Sequence, residues 1–144
     1  MYMIRGRYLS SMDDLGAVLA LRRQVFDLGA DESDRMAVYA LAMDQAGEPA
    51  GAGRLYIDGD DHFRMDLVGV LPEKRRQGLG DLILRMLLQR ALDLNAPAIV
   101  IDAPRELHPF FARYGFAAEG ASAMRATPSS IDACGGCGGK CCPR

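Results

Sequence analysis

The chain has 144 residues, 49% of them hydrophobic and 25% charged, with a formal net charge of −2. That suffices for one domain with a buried core, is too short for two ordinary domains, and is too apolar for disorder. The slight acidic balance argues against a nucleic-acid binder, no run reaches the roughly 18 apolar residues of a membrane span, and the N-terminus lacks the apolar core of a secretory signal, so a cytoplasmic protein is expected.

Residues 3–9 alternate as a first strand. Ser10 and Ser11 offer an N-cap, with Asp14 in capping-box spacing after Ser11. Leu15, Val18, Leu19, Arg22, Val25 and Phe26 follow helical spacing, and Gly29 ends that helix. The acidic run 31–34 reads as a loop, whose Asp31, Glu32 and Asp34 either face solvent or attract a cationic substrate. Strands at 36–43, 52–57 and 63–70 then form an antiparallel meander, separated by turn-forming clusters. Pro72 stops the third.

A helix is expected from Gly78 to about Leu94, with Leu82, Ile83, Met86, Leu87, Arg90 and Ala91 on one spacing and Pro97 beyond it. The short apolar run 98–101 suggests a strand covered on both faces and paired in parallel across that helix. Residues 107–114 suit two helical turns capped by Gly115, and 116–126 a last strand or narrow hairpin. The order β-α-β-β-β-α-β-α-β gives an α+β domain over residues 1–127, followed by a Gly/Cys-rich tail at 128–144.

The densest chemical signal is VGVLPEKRRQGLG, from Val68 to Gly80: a strand, a basic turn with glycines, and a helix start. A helix start leaves backbone N–H groups without acceptors. Glycines let that backbone approach an anion closely, and Arg75 and Arg76 add positive charge, so the turn suits a pyrophosphate. Arg75-x-x-Gly78-x-Gly80 resembles the acyl-CoA-binding motif of the GNAT N-acetyltransferase superfamily. Pro72, three residues before Arg75, fits the same pattern, and Phe110-Phe111-Ala112-Arg113-Tyr114-Gly115-Phe116 is similar to the family's F-Y-x-x-x-G-F. Leu21-Arg22-Arg23-Gln24-Val25-Phe26 also resembles the L-R-x-x-V-F of the ElaA-like branch.

The resemblance implies a GNAT-like mixed central sheet of six to seven strands with flanking helices and a splayed parallel pair after the meander. It implies acetyl-CoA as cosubstrate, an amine as acceptor, direct attack in a ternary complex, and a homodimer as often found in the family. By the same resemblance Arg76, Gln77, Gly78, Leu79, Gly80 and Asp81, with Arg75 beside them, contact the pyrophosphate. Val68, Gly69 and Val70 hold the pantetheine arm through backbone groups, and an N–H near Val70 polarises the thioester carbonyl.

Acid and base are less direct. Many relatives carry a phenol where this chain has Phe111, and the family's Asn falls near Pro104. Tyr114, nearly one helical turn on, is either the general acid or a packed aromatic. Asp66 shares strand parity with Val68 and Val70 and is either the general base or a solvent-facing carboxylate, with Glu106 and His108 as second candidates.

All four cysteines, Cys134, Cys137, Cys141 and Cys142, fall in the last 11 residues, which excludes a secreted disulfide scaffold. Four thiolates suit tetrahedral zinc, and the alternative is a mobile, redox-labile tail. The missing phenol and this tail leave a second function open, a non-catalytic acyl-CoA-binding or metal-sensing module.

Overall fold

The computed structural model describes residues 3–59 and 62–135. Its strands are β1 (Arg5–Ser10), β2 (Val38–Met43), β3 (Pro49–Asp58), β4 (His62–Val70), β5 (Ile99–Asp102), β6 (Ala117–Ala118) and β7 (Ala123–Ala126). They form one seven-stranded sheet in the order β1-β2-β3-β4-β5-β7-β6. The α-helices are α1 (Gly16–Phe26), α2 (Leu79–Asp93), α3 (His108–Ala112) and α4 (Pro128–Gly135). Neighbours pair antiparallel except β4 and β5, whose parallel pairing requires the crossover through α2. This is the α+β mixed sheet expected, with helices on both faces.

The two faces are written into β2 with period two. Tyr39 and Leu41 join Val18 and Leu21 of α1 in one buried cluster, while Ala40 and Ala42 join Ile83 and Leu87 of α2 in the other. The helix α2 buries Leu79, Ile83, Leu84, Leu87, Leu88 and Ala91, and each large aliphatic contributes about 1.5–3 kcal/mol of burial. It lies close on β3: a Cβ on Gly53 would sit 2.8 Å from side-chain carbons of Ile83 and Leu87.

Several boundaries differ from expectation for local reasons. The helix α1 starts at Gly16 rather than after Ser11, because Asp13 accepts from Ser10 N–H at 2.8 Å and Asp14 accepts from Gly16 N–H at 2.9 Å. It ends at Phe26, before Gly29, because Asp27 takes the left-handed conformation. The helix α3 ends at Ala112 with Arg113 as its C-cap, so Gly115, left-handed at φ +101°, lies in the turn beyond the cap, and a Cβ there would meet Ser130 O at 2.5 Å. That contact belongs to α4, which the composition of 128–144 did not suggest. Its Ile131 is buried in the α2-side core, so packing runs past residue 127.

The acidic run 31–34 divides: Asp31 and Glu32 stay exposed, whereas Asp34 is turned inward and paired. Asp31 caps a 3-10 turn over Glu32–Met36, and Asp34 closes the capping box onto its backbone. The Asp34 carboxylate accepts from Arg22 at 2.8 and 2.9 Å, from the Tyr39 hydroxyl at 2.6 Å and from Arg54 at 3.2 Å. Arg54, only 3% exposed, also donates to Asp31 at 2.6 Å and to both oxygens of Asp66 at 2.8 Å. Burial alone would raise the Asp34 carboxyl. The Arg22 guanidinium, the Tyr39 hydroxyl and the Asp31 amide outweigh it and hold the group well below the usual carboxylate range.

Candidate active site

The strands β4 and β5 stay in register for only two pairs, Phe63 with Ile99 and Arg64 with Val100. Beyond them β4 continues to Val70 while β5 leans to β7. A bulge accompanies the divergence. Ala52 pairs with Gly69 and Arg54 with Asp66, so Leu67 and Val68 together stand opposite Gly53. Leu67 takes φ 52°, a left-handed conformation that costs a branched residue about 1–2 kcal/mol. Such strain persists only where the surrounding packing fixes it.

The gap so opened is a cavity of about 210 Å³, walled by Leu67 and Val68 of β4, Ile101 and Asp102 of β5, and Phe111 of α3. A second cavity of about 500 Å³ lies between the end of β4, the turn 74–81 and α3. Val68, Leu107 and Phe111 line both, so the two form one cleft.

The turn is shaped by its own sequence. Pro72 opens a 3-10 turn over Pro72–Lys74. Lys74 is tied to Asp44 at 2.8 Å, and Arg75 Nε donates to Val70 O at 3.1 Å. Arg76 (φ 67°) and Gly78 (φ 82°) are left-handed, a pattern that points successive N–H groups into one concavity. Among the described residues, none of the N–H groups of 76–81 meets a protein acceptor; the first to do so is Leu82, to Gly78 O at 3.0 Å. Of the ten residues that the resemblance assigns to the cofactor, Val68, Gly69, Val70, Arg75, Arg76, Gly78, Leu79, Gly80 and Asp81 line the larger cavity and Gln77 does not. An acidic Asp81 beside an anion site is offset from within: it pairs with Arg85 at 2.9 Å and accepts from the Tyr114 hydroxyl at 2.6 Å.

That last bond fixes Tyr114. Its ring is buried, it lines neither cavity, and its proton points at Asp81. Burial, and then the accepting carboxylate, push the phenol up to about 12. As placed, Tyr114 ties the segment after α3 to the first turn of α2. Tyr114→Phe is therefore expected to lower stability by about 1 kcal/mol while leaving kcat and its pH profile unchanged, as read by urea denaturation and steady-state kinetics.

Asp66 does line the smaller cavity, but both its oxygens are engaged by Arg54. Glu106 is exposed and lines neither cavity, and His108 Nε2 sits 3.0 Å from Ala103 O. The sequence reading missed Asp102, which closes the short strand IVID, faces the smaller cavity, and has no partner among the described residues. Its signal was an acid ending an otherwise apolar strand.

Cys134 falls in the last turn of α4, and Cys137, Cys141 and Cys142 lie outside the described residues. Among the described residues no group of three His, Cys, Asp or Glu could hold a metal ion, and no helix is long and apolar enough to cross a membrane.

Residues 25–127 match the family model of the acetyltransferase (GNAT) domain. An acyl-CoA N-acyltransferase from Pseudomonas aeruginosa is similar in fold, with a TM-score of 0.78 at 22% identity over 87% of this chain and 100% of that one. Escherichia coli ElaA has a TM-score of 0.71 at 20% identity, over 86% of this chain and 99% of its own. A Bacillus anthracis protein assigned as a streptothricin acetyltransferase, solved with acetyl coenzyme A, has a TM-score of 0.56 at 16% identity over 63% and 62%.

Proposed function

The chain belongs to the GNAT acetyltransferase family, and from that premise we propose that it moves an acetyl group from acetyl-CoA to an amine by direct attack in a ternary complex. One observation carries the reading. Among the described residues, six consecutive N–H groups, 76–81, meet no protein acceptor, and all of these residues but Gln77 line a cavity that runs into the gap between β4 and β5. A pyrophosphate needs such donors, because burying its charge without hydrogen bonds is prohibitive.

On this reading Arg75 and Arg76 neutralise the phosphates, and Gly78 and Gly80 let the backbone approach them. The free edge of β4 from Val68 to Val70 receives the pantetheine arm as an added strand. An N–H near Val70 polarises the thioester carbonyl. Orienting two bound reactants supplies much of the rate, so no acyl-enzyme is required. Phe111 stands at the junction of the cavities and has no proton to give, so the leaving thiolate is protonated from the attacking nitrogen or from water. The acetyl coenzyme A bound by the Bacillus anthracis protein supports the same cosubstrate here.

The test is free-thiol release from acetyl-CoA across a panel of amines, with mass spectrometry of the products. Amine-dependent release matched by acetylated amine is the expected result. Acetyl-CoA binding with no turnover of any amine would replace this reading by that of a non-catalytic acyl-CoA-binding module.

A further inference from the structure

We propose, resting on the transferase reading above, that Asp102 receives the ammonium group of the acceptor, and that the acceptors are primary amines on a small apolar stem. The cavity of about 210 Å³ in the strand gap holds two carboxylates, one from each diverging strand. They are not equivalent. Asp66 gives both oxygens to Arg54 at 2.8 Å, and Arg54 is itself buried and held by Asp31 and Asp34. Asp102, exposed at the end of β5, has no partner among the described residues. A cation entering the gap meets one carboxylate that no described residue engages.

The remaining wall sets the rest of the molecule. Apart from the two aspartates, every side chain lining this cavity is apolar, among them Phe26, Leu67, Ile101, Pro104 and Phe111. A polyamine or a peptide would bring further polar groups against that wall with nothing to bond them, at a desolvation cost an apolar stem does not incur. The volume lies below the roughly 300–1,000 Å³ of sites for drug-sized ligands, which favours a small amine over a folded segment.

The chemistry balances around Asp102. The bound ammonium gives one proton to the carboxylate, which passes it to water at the exposed mouth. The freed lone pair forms the C–N bond with the acyl carbon. The C–S bond breaks with its electron pair on sulfur, and a second proton leaves nitrogen for that thiolate.

The experiment compares 2-phenylethylamine, spermidine and glycylglycine as acceptors for the wild type and Asp102→Asn, following thiol release, with acetyl-CoA affinity measured by calorimetry. The expected result is that 2-phenylethylamine has the highest kcat/KM and that D102N raises its KM about tenfold or more, with acetyl-CoA affinity unchanged. Asp102→Glu, which keeps the charge, recovers part of that loss. An unchanged KM in D102N, or turnover confined to spermidine or glycylglycine, overturns this inference and leaves the transferase reading standing. Thiol release with none of these three amines overturns this inference, and acetyl-CoA that does not bind, or no release across the wider amine panel, overturns the transferase reading with it.

Discussion

Gly78→Glu is expected to weaken acetyl-CoA binding by at least about 100-fold, some 2.7 kcal/mol, while leaving a folded protein. Space is not the obstacle. The nearest heavy atom to a Cβ at this position is Ile4 Cδ1, 3.8 Å away. The backbone is left-handed at φ 82°, which costs a non-glycine residue about 1–2 kcal/mol and lowers Tm by a few degrees. The large effect comes from charge. A carboxylate set among the N–H groups of 76–81 occupies the helix start that the phosphates need, and it repels both of their charges. Gly78→Ala carries the backbone cost without the charge and is expected to lose less than about tenfold in affinity. Calorimetric titration and thermal unfolding of both variants separate the two contributions. Wild-type affinity in Gly78→Glu would remove the pyrophosphate from this turn.

Arg54→Met is expected to destabilise the protein by about 3–5 kcal/mol in urea unfolding, the range for breaking a buried charge pair from one side. Arg54 is 3% exposed, and its guanidinium serves three carboxylates drawn from two elements: Asp31 and Asp34 of the 3-10 turn region and Asp66 of β4. Methionine fills similar volume and leaves those charges facing one another. The same network has an acid limit. Asp34 is held below its ordinary value in the folded state, so its contribution is fully present above the unfolded pKa of about 3.9 and fades as pH falls below that towards the folded value. A wild-type stability that erodes below about pH 4, against a flatter profile for Asp34→Asn, is the corresponding outcome. A loss under about 1 kcal/mol in Arg54→Met would show the cluster to be as weak as a surface ion pair. The consequence reaches the site, because Asp66 precedes the bulge residue Leu67, and whatever holds Asp66 holds the edge of the strand gap.

What was legible in the sequence was what neighbouring residues decide among themselves. The spacing of Ile83, Leu87 and Ala91 writes part of the buried face of α2 into one stretch of chain, although Leu79, Leu84 and Leu88 complete that face where Leu82, Met86 and Arg90 were expected, and Pro72, Gly78 and Gly80 write the turn before it. The cofactor residues sit within 14 positions of one another, from Val68 to Asp81, and all but Gln77 meet at one cavity. The bulge at Leu67 was invisible because it is a property of register between two strands, and no local pattern in β4 announces it. The Arg54 network was equally hidden, since its partners lie 12 to 23 positions away and meet only when the 3-10 turn packs onto the sheet. Tyr114 and Asp81 are 33 positions apart, so helical spacing around Phe111 could not show that the phenol faces α2. Asp102 gained meaning only once β4 and β5 were seen to part, leaving one aspartate paired and the other without a partner among the described residues.

The central claim, that main-chain amides of the β4–α2 turn grip the CoA diphosphate, is tested most directly by titrating ¹⁵N-labelled protein with acetyl-CoA and following amide resonances. Saturable downfield shifts clustered on residues 76–81 are the result this account predicts. Binding that leaves those six amides unmoved, with shifts gathered elsewhere on the protein, would contradict it.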